Sequence, residues 1–513
     1  MAGMDARTLL ASAARLRPRG TAAFCGPRRL TYPDLLGQAA RLADDLESAG
    51  ARPGDRVAAL FANCHLYLAC YAAALERGLV LLPINLKQSP SETRAILEHA
   101  GARVLVGDPA LVRSLAPAAP ATAPEGWAAA PLQEGAPTRR EEAPAGAAHL
   151  YYTSGTTARP KGVILTRENL AAHVEMTIAE LSFSARDVWL HAAPMFHLAD
   201  AWAILTVTAV AGTHVFLPRF DAAEAFDLID STQVTVTNLV PVMLQDLLAE
   251  AERRSRGLPS LRLLLSGGAP IAPRTVARVA AILGCEYVQT YGLTETSPFL
   301  TFSILDEAAR RLPPAEQARL RARTGRAARG VELRVVRPSG SGAFEDVPAD
   351  DAAVGEVVVR GATVTPGYWR DEAATREAFR GGWFHTGDLG TIDGHGSLNL
   401  VDRAKDVVIT GGETVYSTEV EHVLCEHAAV REAAVFGVPD ERWGEAVRAA
   451  VVPREPGAVP VEDLIAFCRE RIAHYKCPRA IDLVGALPRT GSGKVDKKAL
   501  REPFWRGRTR RIN

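Results

Sequence analysis

The chain has 513 residues, 47% of them hydrophobic and 23% charged, and its 59 Lys and Arg balance 59 Asp and Glu. A single hydrophobic core does not usually extend over a chain of this length, so two or more domains are expected. A net charge of zero excludes a whole-molecule attraction to nucleic acid or anionic lipid, and any anion-binding site must therefore be local.

Secretion and membrane insertion are disfavoured as well. None of the seven cysteines lies in a C-x-x-C pair, so neither a zinc site nor a disulfide framework is predicted. The N-terminal segment contains Asp5 and lacks the apolar core of a signal peptide, which predicts a cytoplasmic protein. The apolar stretch "AWAILTVTAVAGTHVFL" is interpreted as a buried helix, a turn at Gly212 and a buried strand, not as a membrane span.

The first hundred residues alternate helical and strand patterns. The segment "TYPDLLGQAARLADDLESAG" predicts a helix that Thr31 caps and Gly50 ends. The segments "DRVAALFAN" and "ARVLVGD" predict buried strands on either side of another apolar helix. This alternation predicts an α/β layered domain with a parallel sheet.

The rest of the chain divides into a continuation of that domain and a smaller unit. Residues 108–147 are rich in Ala and Pro and are interpreted as a surface excursion. The alternation then resumes up to about residue 400, and strands such as "LRLLLS" and "EYVQTYG" end in Gly- or Thr-rich loops, where parallel sheets bind ligands. After Val401 the pattern predicts a small α+β unit, and the terminal "WRGRTRRIN" is interpreted as a solvated tail. The predicted fold is α/β, with a large N-terminal domain of mainly parallel sheets (1–402) and a smaller mobile α+β domain (403–513).

The stretch "YYTSGTTARPKGVILT" places hydroxyl groups, a glycine and a lysine between two apolar segments. Backbone N–H groups in such a loop converge on an anion, Ser and Thr add donors, and Lys161 adds a mobile charge. The segment does not have the G-x-x-x-x-G-K-[ST] spacing of a P-loop, and neither does "RTGSGKVDKK" near the C-terminus. Two phosphate-like loops are therefore present, and neither is typical of a P-loop ATPase.

Five segments resemble, in their order, the motifs of the adenylate-forming superfamily, which includes acyl-CoA synthetases, adenylation domains and beetle luciferases. They are "YTSGTTARPKG", "YGLTET", "WFHTGD", "DRAKDVVITGGETVYSTEVE" and "PRTGSGKVDKKALR". The resemblance covers nearly the whole chain. It implies that a carboxylate attacks the α-phosphate of ATP, that pyrophosphate leaves, and that an acyl-adenylate forms. Because both reactants are anions, cations and preorganised donors are what such a site needs.

The resemblance implies an ATP and Mg²⁺ site in the larger domain. The β- and γ-phosphates would be held by Thr153, Ser154, Gly155, Thr156, Thr157 and Lys161. Tyr291 would stack on the adenine, Thr294 would bond the α-phosphate and Glu295 would bind Mg²⁺, a cation suited to carboxylate and phosphate oxygens. The backbone of Gly267, Gly268 and Ala269 would lie against the base.

Further roles are implied for the C-terminal segments. Asp388 and Arg403 would contact the ribose, and Lys494 would be the catalytic cation that bridges the carboxylate and the α-phosphate. Lys405 would be the hinge about which the small domain moves between two half-reactions. Gly411 and Gly412 would line the path of the CoA thiol.

The acyl pocket is placed, by the same resemblance, at His197, Leu198, Ala199, Trp202, Asn238, Val240 and Leu293, together with Gly268 and Ala269. His197 would flank the carboxylate, and the apolar or small side chains suit an alkyl or aryl acid. No Asp is assignable to an α-amino group, so an amino acid is a less favoured substrate. Two residues depart from the family pattern: Thr414 replaces an Asn in "GGET", and Asp200 replaces a small residue. Asp200 is expected to cap a helix, the alternative being that it faces the acyl pocket.

Several functions share this chemistry. The leading hypothesis is an AMP-forming carboxylate–CoA ligase whose partners are a small carboxylic acid, ATP and CoA. The nearest alternative is an acyl-AMP ligase that loads a separate acyl carrier protein, and a luciferase-like oxygenase would reuse the same adenylation site. A non-catalytic nucleotide-binding regulator is disfavoured because Lys494, Glu295 and Asp388 are all present.

Overall fold

A computed structural model describes residues 4–116, 126–132, 143–153, 160–338, 344–455, 457, 459–490 and 494–506. The chain forms two compact units, one of Met1–Glu332 with Val359–Phe384 and the other of Leu333–Val358 with His385–Asn513. The predicted boundary between residues 402 and 403 falls inside the second unit. The predicted domain boundary and the hinge predicted at Lys405 both stay predictions.

The first unit contains two sheets, and most strand pairs in both are parallel. In one sheet the strand order is Ala128–Pro131, Ala102–Gly107, Arg56–Leu60, Val80–Pro83, Ala147–Thr153 and Lys161–Thr166, antiparallel only at its two edges. In the other the order is Gly325–Ala327, Phe299–Phe302, Glu286–Gly292, Leu263–Gly267, Val236–Asn238, Val188–His191, Thr213–Phe216, Thr21–Cys25 and Arg28–Thr31. A short strand, Phe379–Arg380, pairs with Trp383 and Phe384.

Helices connect and cover these strands. They are Leu9–Leu16, Tyr32–Ser48, His65–Glu76, Pro90–Ala100, Pro109–Leu115, Arg167–Leu181, Leu198–Ala209, Ala222–Thr232, Pro241–Arg253, Pro273–Arg278, Pro314–Ala322 and Glu372–Ala378. The helix predicted after Thr31 is confirmed as Tyr32–Ser48, and Thr31 and Asp34 cap it reciprocally. The predicted helix, turn and strand around Gly212 are confirmed as Leu198–Ala209 and Thr213–Phe216. Within the described ranges no helix is long and apolar enough to cross a membrane.

The described residues of the segment interpreted as a surface excursion form regular elements. It contains the helix Pro109–Leu115 and the strand Ala128–Pro131, which pairs with Ala102–Gly107. Trp127 is buried and donates to Asp45 over 2.9 Å. Hydrophobic burial and edge pairing therefore fix the described part of a stretch that has no periodic pattern.

The second unit contains two groups of paired strands. The strands that lie wholly or mostly in it follow the order Phe344–Asp346, Val331–Pro338, Gly355–Gly361, Trp383–Ile392 and Ser397–Arg403. The other sheet has the order Glu413–Val415, Val408–Thr410, Gly444–Pro453 and Val430–Asp440, with Ala480–Leu483 parallel to Gly444–Pro453. Its helices are Ser417–Glu426, Val461–Arg469 and Lys497–Trp505. The predicted fold class is confirmed: an α/β part with mainly parallel sheets and a smaller α+β part.

Three fully buried histidines of the first unit are expected to make its stability depend on pH. Burial lowers the pKa of His149 and of His173 to about 3, and burial together with the charge of His191 lowers the pKa of His214 well below its ordinary value. These imidazoles stay neutral in the folded chain, whereas in the unfolded chain they take up protons below pH about 6.5. Their contribution to stability is therefore complete above pH 6.5 and is lost as the pH falls towards 3.

We expect the free energy of unfolding at pH 5.5 to be lower than at pH 7.5 by about 1.4 kcal/mol for each such histidine. His149→Phe keeps a ring in contact with Tyr71 and Tyr151. Denaturant titrations at the two pH values should show that it reduces the pH dependence of the free energy of unfolding by the contribution of one histidine. The exposed His395 provides the control, because His395→Phe should leave the difference in free energy of unfolding between the two pH values unchanged. If His149→Phe showed the wild-type difference between pH 5.5 and pH 7.5, His149 would not be one of the groups that make stability depend on pH.

Candidate active site

The two ends of the predicted phosphate loop are held together by strand pairing. Thr153 ends the strand Ala147–Thr153, Lys161 begins the strand Lys161–Thr166, and the two residues pair directly. Of the predicted phosphate ligands, Ser154, Gly155, Thr156 and Thr157 lie outside the described residues. The structure thus places both ends of this loop at one edge of the first sheet.

Tyr368, a residue that sequence analysis missed, contacts both Lys161 and Glu295. The Lys161 ammonium lies 5.0 Å from the centre of the Tyr368 ring, and the Tyr368 hydroxyl donates to Glu295 Oε1 over 3.0 Å. The Thr365 backbone N–H also donates to the Glu295 carbonyl over 2.7 Å. Burial and the charge of Glu295 raise the pKa of Tyr368, so its hydroxyl stays a donor at neutral pH. The segment "TPGYW" was the available signal, since it places an aromatic donor after a Pro-Gly turn.

Glu295 suits the role predicted for it at Mg²⁺. Mg²⁺ is usually bound through one or two carboxylates together with substrate phosphates and water, and not by an all-protein cage. Among the described side chains no group of three or more His, Cys, Asp and Glu could hold a metal ion. A single oriented carboxylate near a phosphate loop therefore fits the ion, with Tyr368 fixing the carboxylate.

Replacing Tyr368 with phenylalanine is expected to raise the Mg²⁺ concentration for half-maximal pyrophosphate release by at least about tenfold, the usual scale for losing a partner that orients a metal ligand. The change keeps the ring beside Lys161 and removes only the hydroxyl on Glu295. Tyr152→Phe is the matched control, because its hydroxyl bonds His99 Nδ1 at 2.6 Å and not Glu295. An Mg²⁺ titration of Tyr368→Phe that overlays the wild-type curve would show that this hydroxyl does not position the ligand.

The residues predicted to hold the adenine lie at the carboxyl ends of two neighbouring parallel strands. Gly267 pairs with Thr290, next to Tyr291 in the chain. A Cβ at Gly267 would meet Thr290 Oγ1 at 2.4 Å, so only glycine allows this close approach. The strand leads into Gly268 and Ala269, both exposed, and the Ala269 carbonyl accepts a hydrogen bond from Gln289. Thr294 and Glu295 follow Tyr291 in the 3₁₀ turn Thr294–Thr296.

Three of the predicted acyl-pocket residues converge on one carbonyl group. Trp202 Nε1 donates to the Ala199 oxygen over 3.1 Å, and Asn238 Nδ2 donates to the same oxygen over 2.7 Å. Both donor side chains are buried. His197 and Leu198 begin the same helix, Val240 begins the helix Pro241–Arg253, and Leu293 is half-buried. The start of helix Leu198–Ala209 is therefore fixed from two directions.

The prediction that Asp200 caps a helix is wrong. His197 occupies the N-cap position, and the fully buried Asp200 is hydrogen-bonded through Oδ2 to His191 Nδ1 at 2.6 Å. His191 Nε2 in turn lies 3.0 Å from His214 Nδ1, and His214 Nε2 lies 3.2 Å from the Thr208 hydroxyl. Asp200 thus belongs to a buried polar chain that joins the helix Leu198–Ala209 to two strands.

In the second unit the two predicted ribose ligands form an ion pair. Asp388 and Arg403 are direct partners across two antiparallel strands, and Arg403 Nε lies 3.2 Å from Asp388 Oδ1. Glu356, a residue that sequence analysis missed, contacts the strand segment just before Asp388: it lies 2.8 Å from His385 Nδ1 and accepts from the Gly387 N–H at 3.3 Å. Its partners lie far along the chain, so no local pattern indicated it.

The predicted hinge, thiol-path and catalytic residues lie in the same unit. The Lys405 carbonyl accepts from Arg501 over 3.2 Å. Gly411 and Gly412 form the tight turn between Val408–Thr410 and Glu413–Val415, with φ of 62° and 84°. Lys494 is exposed, and its carbonyl accepts from the Thr490 N–H over 2.8 Å.

Comparison with known proteins agrees with this arrangement. The family model described as AMP-binding enzyme matches residues 10–369, and the model of its C-terminal domain matches residues 419–494. The chain is 38% identical to a feruloyl-CoA synthase of Amycolatopsis sp. over 96% of this chain and 97% of that one. It is 34% identical to the long-chain-fatty-acid–CoA ligase FadD13 of Mycobacterium tuberculosis, over 93% of each chain.

Solved structures of one further enzyme are similar along almost the whole length. The o-succinylbenzoate CoA synthetase of Bacillus subtilis with its acyl-adenylate intermediate gives a TM-score of 0.81 at 29% identity and covers 98% of both chains. The same enzyme with ATP and magnesium gives 0.79 at 28% identity, over 97% of this chain and 99% of that one.

Proposed function

Because this chain belongs to the AMP-binding enzyme family, of the acyl-CoA synthetase type, we propose that it is a carboxylate–CoA ligase for an apolar acid, alkyl or aryl. ATP, Mg²⁺ and CoA are its co-substrates and cofactor. A carboxylate oxygen attacks the α-phosphorus and the bond to pyrophosphate breaks. The CoA sulfur then attacks the acyl carbonyl, a thioester bond forms, and AMP leaves with the carboxylate oxygen.

The observation that carries the proposal is the contact series from Lys161 through Tyr368 to Glu295 beside the phosphate loop. It supplies a cation and an oriented carboxylate where the triphosphate and Mg²⁺ need them. In the proposed site Thr153, Ser154, Gly155, Thr156, Thr157 and Lys161 hold the outer phosphates. Thr294 bonds the α-phosphate, and Lys494 stabilises the charge that develops as the carboxylate attacks.

The chemistry of the pocket wall supports an apolar acid. Ala199, Trp202 and Asn238 carry no charge, and the Trp202 and Asn238 N–H groups both donate to the Ala199 carbonyl, so these three residues present no ion to a substrate. We expect an aryl acid to react faster than a fatty acid, because the identity to the feruloyl-CoA synthase, 38%, exceeds the 34% to the fatty-acid ligase.

The proposal is tested by incubating the purified protein with ATP, Mg²⁺ and an arylacrylic, an arylacetic, a long-chain and an amino acid, with and without CoA. Mass analysis should detect AMP, pyrophosphate and a CoA-dependent acyl thioester. Release of ADP would contradict the proposal. Acyl-adenylate that does not pass to CoA would contradict the choice of thiol and indicate a carrier protein.

A further inference from the structure

Lys497 is a largely buried cation close to the predicted catalytic lysine in sequence. Its side chain is only 14% exposed, and its ammonium lies 2.6 Å from Glu421 Oε1. It also donates to the Ser417 hydroxyl over 2.6 Å. Both partners belong to the helix Ser417–Glu426, which follows the Gly411–Gly412 turn in the chain.

The partners of Lys497 are themselves fixed. The Ser417 hydroxyl donates to Asp402 Oδ2 over 2.7 Å, and Glu421 Oε1 also accepts the Val435 N–H over 2.8 Å. Burial alone would lower the pKa of Lys497, but the charges of Glu421 and Asp402 raise it above its ordinary value, so the ammonium stays charged. A buried ion with this many bonds has one well-defined position.

Backbone hydrogen bonds connect this position to Lys494. The Thr490 N–H donates to the Lys494 carbonyl and the Asp496 N–H donates to the Pro488 carbonyl, each over 2.8 Å. Residues 488–490 and 494–496 therefore form two paired arms, and the second arm runs directly into the helix that Lys497 begins. A displacement of Lys497 would move the arm that carries Lys494.

A second contact fixes the same helix one turn later. Arg501 donates to Asp406 Oδ1 over 3.0 Å and to the Lys405 carbonyl over 3.2 Å. Residues four apart lie on one helix face. Lys497 and Arg501 therefore hold the same face of this helix against the segments that contain Asp406 and Glu421.

We propose that Lys497 is a positioning residue for Lys494: its bonds to Glu421 and Ser417 fix the arms of the Lys494 segment to the helix Ser417–Glu426. This inference rests on the proposed function, in which Lys494 acts in adenylation and not in thioester formation. Lys497 itself touches no substrate.

The test compares Lys497→Met with Lys498→Met, which removes the same charge from an exposed position of the same helix. The first readout is amide hydrogen exchange in the full-length protein without substrates. Exchange at Thr490 and Asp496 should accelerate about tenfold in Lys497→Met and stay at the wild-type rate in Lys498→Met. If Lys497→Met does not fold, Lys497→Met/Glu421→Met removes both charges of the pair and serves in its place.

The second readout separates the two half-reactions. Lys497→Met should slow adenylation about tenfold, keep the conversion of supplied acyl-adenylate to thioester, and cause no further loss in a Lys494→Ala background, because it acts through that lysine. Wild-type exchange at Thr490 and Asp496, or an additional loss on top of Lys494→Ala, would overturn the inference. A wild-type protein that releases no pyrophosphate would instead refute the proposed function, and the exchange measurement would still decide the role of Lys497.

Discussion

Lys494→Ala is expected to slow acyl-adenylate formation by at least about 10²-fold, the scale for losing one preorganised electrostatic partner of a transition state. The side chain is exposed on the paired segment, and its backbone carbonyl is held by Thr490, so alanine should leave the fold intact. The loss should fall on adenylation, because that step brings a carboxylate against a triphosphate.

The second half-reaction provides the internal control for Lys494. When acyl-adenylate is supplied together with CoA, Lys494→Ala should form thioester at the wild-type rate. Lys498→Ala, which removes a nearby exposed charge, should leave both half-reactions unchanged. If both half-reactions of Lys494→Ala fell in proportion, the assignment of this lysine to one step would be wrong.

Gly412→Leu should give the reverse pattern. A Cβ at residue 412 would have no heavy atom within 4 Å, so a side chain can start there without a clash, although the positive φ of 84° strains any residue other than glycine. If the turn lines the thiol path, this bulk should slow thioester formation by about 10²-fold, since misplacing a nucleophile by about 1 Å has that effect. Pyrophosphate release in the first turnover should persist.

A further variant, Gly412→Ala, separates the effect of bulk from that of backbone strain at this turn. Gly412→Ala carries the same cost of a positive φ, 84°, and lacks the bulk, so its thioester rate should stay near that of wild type. Gly411→Ala is not an equivalent control, because a Cβ there would meet the Trp443 ring at 2.7 Å. Wild-type CoA turnover by Gly412→Leu would move the thiol path away from this turn.

The sequence predicted elements best where its periodicity was strong. The helix Tyr32–Ser48 has its cap, apolar face and end in the local pattern, and it was predicted correctly. Asp200 was not, because its position in the first helical turn suggested a cap while its actual partner, His191, lies on a buried strand. Local patterns indicate caps, whereas buried polar pairs depend on which strands pack together.

The same distinction separates the predicted site residues from those that were missed. The phosphate loop, the adenine strand ends and the Lys494 segment each lie within one continuous motif. Tyr368 and Glu356 contact those motifs from distant segments, and Lys497, which lies inside the Lys494 motif, contacts the distant Glu421. Their partners lie far along the chain, so the turn signal at Tyr368 did not reveal its contact with Glu295, and no local pattern indicated the contacts of Glu356 and Lys497.

The transfer of oxygen from the acid to AMP tests the central claim most directly. The protein would be given ATP, Mg²⁺, CoA and an accepted acid whose two carboxylate oxygens are ¹⁸O, and the AMP would be analysed by mass. Attack of the carboxylate on the α-phosphorus predicts one ¹⁸O atom in the phosphate group of each AMP. AMP without the label, or label found in pyrophosphate or inorganic phosphate, would contradict adenylation of the acid.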